Sequence, residues 1–283
     1  MVLESIFNPL KAEKTPWQMF FVGYAYSSVA ILLSMWIFRD QTSLIMVFLT
    51  VMAALPLVYR TMRLEEKKDT EIKKEITLLR EHNKAIAFLM FMFLGMTLSF
   101  VTWYVFLPQD FLSVAFDKQT QTIQSINNQV SGNAFQQLST FSKIFLNNVK
   151  VLAFAILFSF IYGAGAIFIL TWNASVIGAA IGNFIRSGIS EISGSIGLAK
   201  LSAYFGIVSV GLLKYSLHGI PEILAYFYGG LAGGIISVAI IRKHYQSDKF
   251  SHIVFDVSEL LIIAMGFLVV AAFIEVFVTP VLF

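Results

Sequence analysis

The chain has 283 residues, of which 57% are hydrophobic and 13% charged, and its formal net charge is +3. About 25% of the residues of a soluble globular protein are charged, so this composition indicates an integral protein of the lipid bilayer and argues against a nucleic-acid-binding protein. The chain contains no cysteine, which excludes disulfide bonds, thiolate metal sites and thiol catalysis.

Residues 1–16 have no hydrophobic region and no small-residue cleavage site, so we interpret them as a cytoplasmic tail rather than a signal peptide. The apolar stretches that follow approach the roughly 20 residues of a spanning helix. They are 17–38, 42–59, 85–107, 149–172, 202–217, 221–241 and 258–278. The sequence therefore predicts an all-α, polytopic transmembrane helix bundle in a single membrane domain, with seven spans, or six if 202–217 does not cross. The segment 173–201, which contains five glycines, is predicted to be interfacial or partly re-entrant.

The distribution of Lys and Arg predicts the orientation of these spans. With the N-terminus in the cytoplasm, the inner segments hold most of the 20 basic residues, including Arg186 and Lys200. We therefore expect a multi-pass protein of the cell membrane with a cytoplasmic N-terminus. Asn173, Arg186, Glu191 and Asp256 are interpreted as an inner layer that orients and caps the helices.

Two connecting segments are distinctive. Residues 60–84 are rich in charges of both signs, and Ile72, Ile76 and Leu79 form one apolar stripe at helical spacing. This pattern predicts a cytosolic helical hairpin, either as a solvated connector or as the docking site of a membrane or cytosolic partner. Residues 108–142 are polar and nearly uncharged, which predicts an exposed outer loop that contains an amphipathic helix.

Ionisable side chains inside the last apolar stretches are the strongest indication of a functional site. Glu275 lies within an apolar run, and Glu222 directly follows Pro221. A charge at the centre of a membrane helix costs about 2.5–3.5 kcal/mol, so it persists where it is paired, hydrated or used. We interpret Glu222, Glu275, His218 and Lys214 as an outer-leaflet site for an ion or a small solute, with Lys214 as a positive partner of either carboxylate.

These residues also have a purely structural interpretation. Gly219 allows a tight turn, Pro221 fits the first position of a helix, and Glu222 would then face the positive end of the helix dipole. Glu275 lies close enough to the predicted end of its helix to extend its carboxylate toward the interface.

Two other side chains are predicted to contact the carboxylates. His218 titrates near neutrality and could share a proton with Glu222 at the outer mouth. Asn147 and Asn148 precede the fourth span, and they either cap it or place an amide between carboxylates of neighbouring helices. We include Asn148 in the candidate site.

Glycines at four-residue spacing are predicted packing positions, because small residues allow helices to approach closely. They pack inside the bundle or, alternatively, form the interface of a homo-oligomer. These residues are Gly229, Gly230, Gly233 and Gly234, together with Gly178 and Gly182.

The sequence lacks the common motifs of catalysis and cofactor binding. It has no HExxH, no GxSxG and no phosphate-binding GxxxxGK[ST], and its four histidines are scattered. We therefore expect no metal site, no cofactor and no enzymatic activity.

Several short motifs follow one another along the C-terminal half of the chain. They are 144–149, Asn173 with Gly178, 218–223 with the glycines of 229–234, and 272–280. Together they resemble the stage II sporulation protein M family of integral membrane proteins over residues 140–280. The resemblance implies the membrane core and the site positions of that family. For the family's namesake it implies a membrane complex that remodels the cell wall during spore engulfment.

Three functional hypotheses follow. A transport or permeation protein ranks first, because ionisable residues inside a membrane normally mark a functional site. A non-enzymatic scaffold in a cell-envelope complex is the alternative, implied by the resemblance and by the segments 60–84 and 108–142. An intramembrane enzyme that uses His218 and Glu222 as acid and base ranks last, because neither a nucleophile nor a cofactor motif accompanies them.

Overall fold

The computed structural model describes residues 15–72, 75–127, 134–162, 165–191, 198–247 and 249–282, and within these ranges the regular secondary structure is helical throughout. In chain order the helices are α1 (Gln18–Ile37), α2 (Thr42–Glu71), α3 (Glu75–Phe106), α4 (Gln109–Ala115), α5 (Asp117–Asn127), α6 (Ala134–Tyr162), α7 (Ala166–Glu191), α8 (Leu198–Ile241), α9 (Lys249–Phe273) and α10 (Thr279–Leu282). Short 3₁₀ turns join α1 to α2 and α8 to α9, and a π-helical turn at Ile274–Val278 joins α9 to α10.

Within the described part of the chain, seven helices are long and apolar enough to cross a membrane: α1, α2, α3, α6, α7, α8 and α9. The prediction of an all-α polytopic bundle with seven spans is therefore confirmed. We call the end of the bundle that carries residues 60–84 and 242–247 the hairpin end. The opposite end, which carries α4 and α5, is the loop end.

The largest difference from the predicted spans is α8, which runs without interruption for 44 residues. The stretches 202–217 and 221–241 were predicted as two spans around a turn, and this prediction is wrong. Gly219 and Pro221 lie inside α8, so neither makes a turn, and Glu222 does not face a helix N-terminus. Pro221 removes one backbone N–H and its ring crowds the carbonyl of Leu217, and packing against α6, α7 and α9 offsets this cost.

A second difference is a helix break inside the stretch predicted as the fourth span. α6 ends at Tyr162, and the backbone N–H of Ala166 at the start of α7 donates to Ser159 Oγ at 3.1 Å, as in an N-cap. The greater part of 173–201 belongs to the spanning helix α7, so the prediction of an interfacial or re-entrant segment is wrong. Residues 192–197 lie outside the described residues.

The helices differ strongly in how far the chain itself covers them. In the most apolar window of each span, 83% of the residues are buried for α8, against 22% for α6. α8 packs against α9, α6, α7 and α2, and α3 packs against α1 and α7. The candidate residues of α8 therefore lie at the centre of the bundle, while α6 keeps a wide outward face.

The predicted glycine faces are used inside one chain. A Cβ at the α8 glycines would collide with α6 or α7, and a Cβ at the α7 glycines would collide with α3. The glycines with these contacts are Gly229, Gly230 and Gly233 in α8, and Gly178 and Gly182 in α7. Gly234 is buried as well. These faces are therefore internal packing surfaces, and the alternative of a homo-oligomer interface through them is wrong.

The segment predicted as an exposed outer loop is partly folded into the bundle. Leu112 and Phe116 are buried, and Phe116 packs against the ring of Tyr104 in α3. Gln119 is fully buried, and its Nε2 donates to the Ser43 carbonyl and to Ser175 Oγ, both at 3.1 Å. The amphipathic pattern in α5 thus reflects docking on α2 and α7 rather than a solvated loop.

Candidate functional site

Two glutamates on adjacent helices form the centre of the candidate site, and we call Glu222 and Glu275 the carboxylate pair. Oε1 of Glu222, in α8, accepts a hydrogen bond of 2.6 Å from the hydroxyl of Tyr226, one turn further along. Glu275 lies in the π-helical turn, which packs against α8. Tyr228 of α8 stacks on Phe267 of the antiparallel helix α9, so Glu222, six residues before Tyr228, and Glu275, eight residues after Phe267, lie within about one turn of the same level. Among the described residues, no Lys, Arg or His nitrogen lies within 4.0 Å of either.

A proline accompanies the π-helical turn that holds Glu275. Pro280 has no N–H, so it cannot continue the α-helical bonding pattern at this point. The backbone N–H of Thr279 bonds the carbonyl of Ile274 five residues back, and the Thr279 hydroxyl donates to the same carbonyl at 3.1 Å. A π-helical turn redirects the side chains around it, and such turns are frequent at functional sites.

Asn148 brings an amide toward the same level of the bundle. It lies inside α6 with Asn147, so the prediction that either residue caps the fourth span is wrong. Asn148 is 5% exposed, and its Nδ2 has no hydrogen-bond partner within the described residues. Leu152, one turn beyond Asn148 in α6, contacts Gly229, two turns beyond Glu222 in α8, which places Asn148 about one turn from the level of Glu222.

The other two predicted members of the site do not contact the carboxylates. His218 lies one turn from Glu222, but its buried Nδ1 has no partner within the described residues. Lys214 Nζ lies 5.9 Å from the ring centroid of Phe184 in α7, as a cation–π contact. The predicted pairing of His218 with Glu222 and of Lys214 with a carboxylate is therefore corrected, since Glu222 is bonded by Tyr226.

Glu222 lies near the middle of the bundle rather than at its mouth. Glu222 is within one residue of the midpoint of the candidate span Ser202–Ile241, and Asn148 is equally close to the midpoint of Gln137–Ile161. The prediction of a site at the outer mouth followed from dividing α8 into two helices. Because α8 is one helix, Glu222 lies near its midpoint rather than at a helix end.

Two neighbouring carboxylates in an apolar region can bind a proton or a cation. Ionising both in one site is costly, because like charges repel and burial removes the water that would stabilise them. A shared proton or a bound cation relieves this cost. In the described ranges no group of three or more His, Asp or Glu side chains is arranged to hold a metal ion.

An apolar cavity of about 100 Å³ lies beside the site, between α3, α7 and α8. Gly219, Ile220 and Ile223 line it on the α8 side, but Glu222 and Glu275 do not. It is therefore an apolar space near the carboxylate pair and not a polar path to it.

A second group of ionisable residues, which we call the hairpin-end cluster, was not predicted. Its centre is His82 in α3, which is 1% exposed. The imidazole Nδ1 lies 2.8 Å from Oε2 of Glu65, and Nε2 lies 3.0 Å from Oδ1 of Asp69, both in α2. The Nδ1 contact is a hydrogen bond, and the Nε2 contact brings a second carboxylate to ion-pairing distance, so the surroundings of His82 favour the protonated ring.

Further ion pairs extend the hairpin-end cluster to α8 and α9. Arg242 Nη1 pairs with Oε2 of Glu66, and His244 Nδ1 lies 2.9 Å from Oε1 of the same carboxylate. In α9, His252 Nδ1 lies 2.7 Å from Oδ2 of Asp256. Glu66 and Asp256 are both buried. These pairs join α2 to α3 and to the segment after α8, whereas the pair in α9 lies within that helix.

The burial of these carboxylates corrects the interpretation of 60–84 as a solvated connector. A sequence signal was present, because Ala54 and Val58 belong to the buried face of α2, and the same face continues through Glu65 and Asp69. Richness in charge does not distinguish a solvated helix from one with buried ion pairs. The continuation of the buried face does.

The predicted inner layer is also wrong, because its members lie at different heights. Arg186 lies at the loop end, where Nη1 donates to the carbonyl of Leu107 at 2.7 Å and satisfies the C-terminus of α3. Asn173 bonds a carbonyl of its own helix at 2.8 Å. Asp256 belongs to the hairpin-end cluster, and the side chain of Glu191 lies outside the described residues.

The fold and the site define a multi-pass, α-helical membrane protein with a carboxylate pair on its two C-terminal spans. The family profile of Stage II sporulation protein M (SpoIIM) matches residues 44–280. Since the match covers most of the sequence, the chain belongs to the SpoIIM family. This finding confirms the resemblance over 140–280 and extends it to the start of α2. No curated protein and no solved structure matches the chain significantly.

Proposed function

We propose that this protein moves an ion or a small solute across the membrane by way of the carboxylate pair. The observation that supports the proposal most directly is that Glu222 and Glu275 lie near one level on adjacent spanning helices, without a basic side chain within 4.0 Å among the described residues. Uncompensated acidic groups inside a membrane are costly, and they are retained where they are used. A proton is the smallest ion that such a pair can bind.

The helices around the pair have the irregular hydrogen bonding that transport sites use. Pro221 directly precedes Glu222, and the π-helical turn holds Glu275. In secondary transporters, substrate and ion sites lie near the bilayer midplane and are formed by interrupted helices. The position of Glu222 at the midpoint of its span agrees with this architecture, which supports the proposal by analogy.

Glu222→Gln and Glu275→Gln should each abolish flux while the protein remains folded. Glutamine keeps the shape and part of the hydrogen bonding of glutamate, but it cannot ionise. Purified protein in liposomes would be tested with internal pH- and cation-sensitive dyes under imposed gradients, with thermal unfolding measured in parallel. Glu71→Gln is the matched control, because the Glu71 side chain is 61% exposed, and this variant should retain flux.

Two outcomes would contradict the transport proposal. Unchanged flux together with a large fall in unfolding temperature would assign the carboxylate pair a structural role. Absence of flux from the unaltered protein under every gradient would favour a scaffold.

A non-enzymatic scaffold in a cell-envelope complex is the second candidate. The hairpin-end cluster favours it, because ion pairs that fix several helix ends together provide a rigid platform on which a partner could dock. Membership of the SpoIIM family is compatible with either function. A scaffold with the double change Glu222→Gln and Glu275→Gln should fully complement a deletion strain, whereas a transporter with the same changes should not.

We also propose that the hairpin end faces the cytoplasm. Arg186 and Lys200 were predicted on the cytoplasmic side but lie at the loop end. The hairpin end still carries the larger share of the basic residues, and the positive-inside rule assigns that end to the cytoplasm. A cysteine at Lys67, whose side chain is 60% exposed, should react with an impermeant maleimide only after cells are opened. A cysteine at Lys118, 46% exposed, should react in intact cells. The reverse labelling pattern would invert the proposed orientation.

A further inference from the structure

The outward face of α6 carries polar and charged side chains where a lipid-facing helix is normally apolar. Lys143, Asn147 and Lys150 are spaced four and three residues apart on one helix face, and all three are exposed. We call this surface the lysine face. Lys150 is within one residue of the midpoint of the candidate span Gln137–Ile161. Neither lysine has a carboxylate within 4.0 Å among the residues that the structure describes.

Contact with lipid tails would be unfavourable for this face. Lysine at the centre of a span is among the most costly residues to expose to lipid, and snorkelling to the interface operates near helix ends. The chain itself covers little of α6, since 22% of its most apolar window is buried. The lysine face therefore requires a partner that carries negative charge at the same depth.

Glu275 supplies that charge on the neighbouring surface of the same chain. The π-helical turn packs against α6, where the ring centroids of Phe141 and Phe277 lie 6.4 Å apart. This contact places Glu275 near the depth of Lys143. Side chains lean toward the N-terminus of their helix, so Lys150 leans toward the same depth. Glu275 is partly exposed, as its neighbour Phe277 is, so it is accessible from outside the chain.

We propose that two copies of this chain associate through the lysine face, with Glu275 of each copy facing the lysines of the other. A two-fold interface is self-complementary: if residue i of one copy contacts residue j of the other, then j contacts i. An axis along the membrane normal preserves depth, so each lysine face meets a carboxylate at its own level. The partner's lysines would face Glu275, while Glu222 keeps its hydrogen bond from Tyr226 within its own chain.

A charge exchange between differently tagged copies tests this interface. Lys150→Glu alone and Glu275→Lys alone each place like charges at both symmetric contacts, so each variant should lose self-association. A mixture of the two variants restores one native and one reversed pair, so it should form mixed dimers. Because the chain has no native cysteine, Asn147→Cys in one copy and Phe277→Cys in the other can report association by cross-linking in native membranes.

The cross-link in the otherwise unaltered protein decides the proposal even if a charge variant fails to fold. Phe21→Cys in α1, where the side chain is 61% exposed, is the control for random collision and should not cross-link above background. A cross-link at Phe21 as strong as that between Asn147 and Phe277, or none at either, would overturn the proposal. So would a mixture of folded charge variants that stays monomeric. The measurement does not use flux, so its outcome is independent of the transport assay.

Discussion

Replacing His82 with alanine should lower the free energy of unfolding by about 3–5 kcal/mol, since it removes one partner of a buried ion-paired group. Glu65 and Asp69 are 0% and 3% exposed, and both face the imidazole of His82. Without it, two carboxylates remain buried on one face of α2, and Lys68 Nζ, 2.7 Å from Glu65, pairs with only one of them. Chemical unfolding in detergent micelles would measure the loss.

A matched control and a neutral variant separate charge from packing in this prediction. Lys84→Ala, two residues along the same helix, removes a 48% exposed side chain and should change stability little. The triple change His82→Gln, Glu65→Gln and Asp69→Asn removes both signs of charge, so it should lose less than His82→Ala. If the triple variant is the least stable, shape and packing hold this end together rather than charge.

Gly95→Ala should prevent α1 from packing on α3 and lower stability by at least the ~1–3 kcal/mol typical of overpacking. A Cβ at Gly95 would overlap the backbone carbonyl of Phe20, and a Cβ at Gly23 would overlap that of Met92. Backbone atoms on both sides cannot rotate away as a flexible side chain can, so the two helices must separate. The expected result is a lower unfolding temperature and faster proteolysis near α1.

Gly266→Ala in α9 is the control for this change, because a Cβ there would meet no atom within 4 Å. Alanine favours a helix over glycine by about 0.8–1.0 kcal/mol, so this variant should be neutral or slightly more stable. Equal losses from Gly95→Ala and Gly266→Ala would contradict close contact between α1 and α3.

The fold class was predictable because membrane insertion imposes a simple rule. A spanning segment needs about 20 apolar residues, and lipid requires every backbone group to bond within the helix, so composition and length alone indicate an all-α bundle. The same rule could not predict at which residues the individual helices begin and end. The predicted turn at Gly219 and Pro221 rested on local propensity, which packing on three sides of α8 overrides. The helix break after Tyr162 was not predicted. In the structure the hydroxyl of Ser159, one turn before the break, accepts a hydrogen bond from the backbone N–H of Ala166 at the start of the next helix.

The candidate site was predicted in part for a related reason. Glu222 and Glu275 are visible in the sequence because ionisable residues are rare inside spans. Their hydrogen-bond partners could not be predicted, since His218 and Tyr226 both lie four residues from Glu222 in α8 and only His218 was proposed. Only the structure shows that the tyrosine hydroxyl is bonded to this carboxylate.

The sequence by itself determined that this is a membrane protein built from spanning helices, related to the SpoIIM family, with two acidic residues inside its last apolar stretches. The length of the apolar stretches, the scarcity of charged residues and the order of the motifs are all properties of neighbouring residues, so they can be recognised without knowing how the helices pack. Only the tertiary structure decided which charges meet. Glu66 and Arg242 pair across 176 positions of sequence, and His82 reaches two carboxylates on another helix. Such contacts depend on how whole helices pack, and no pattern within a single helix specifies them.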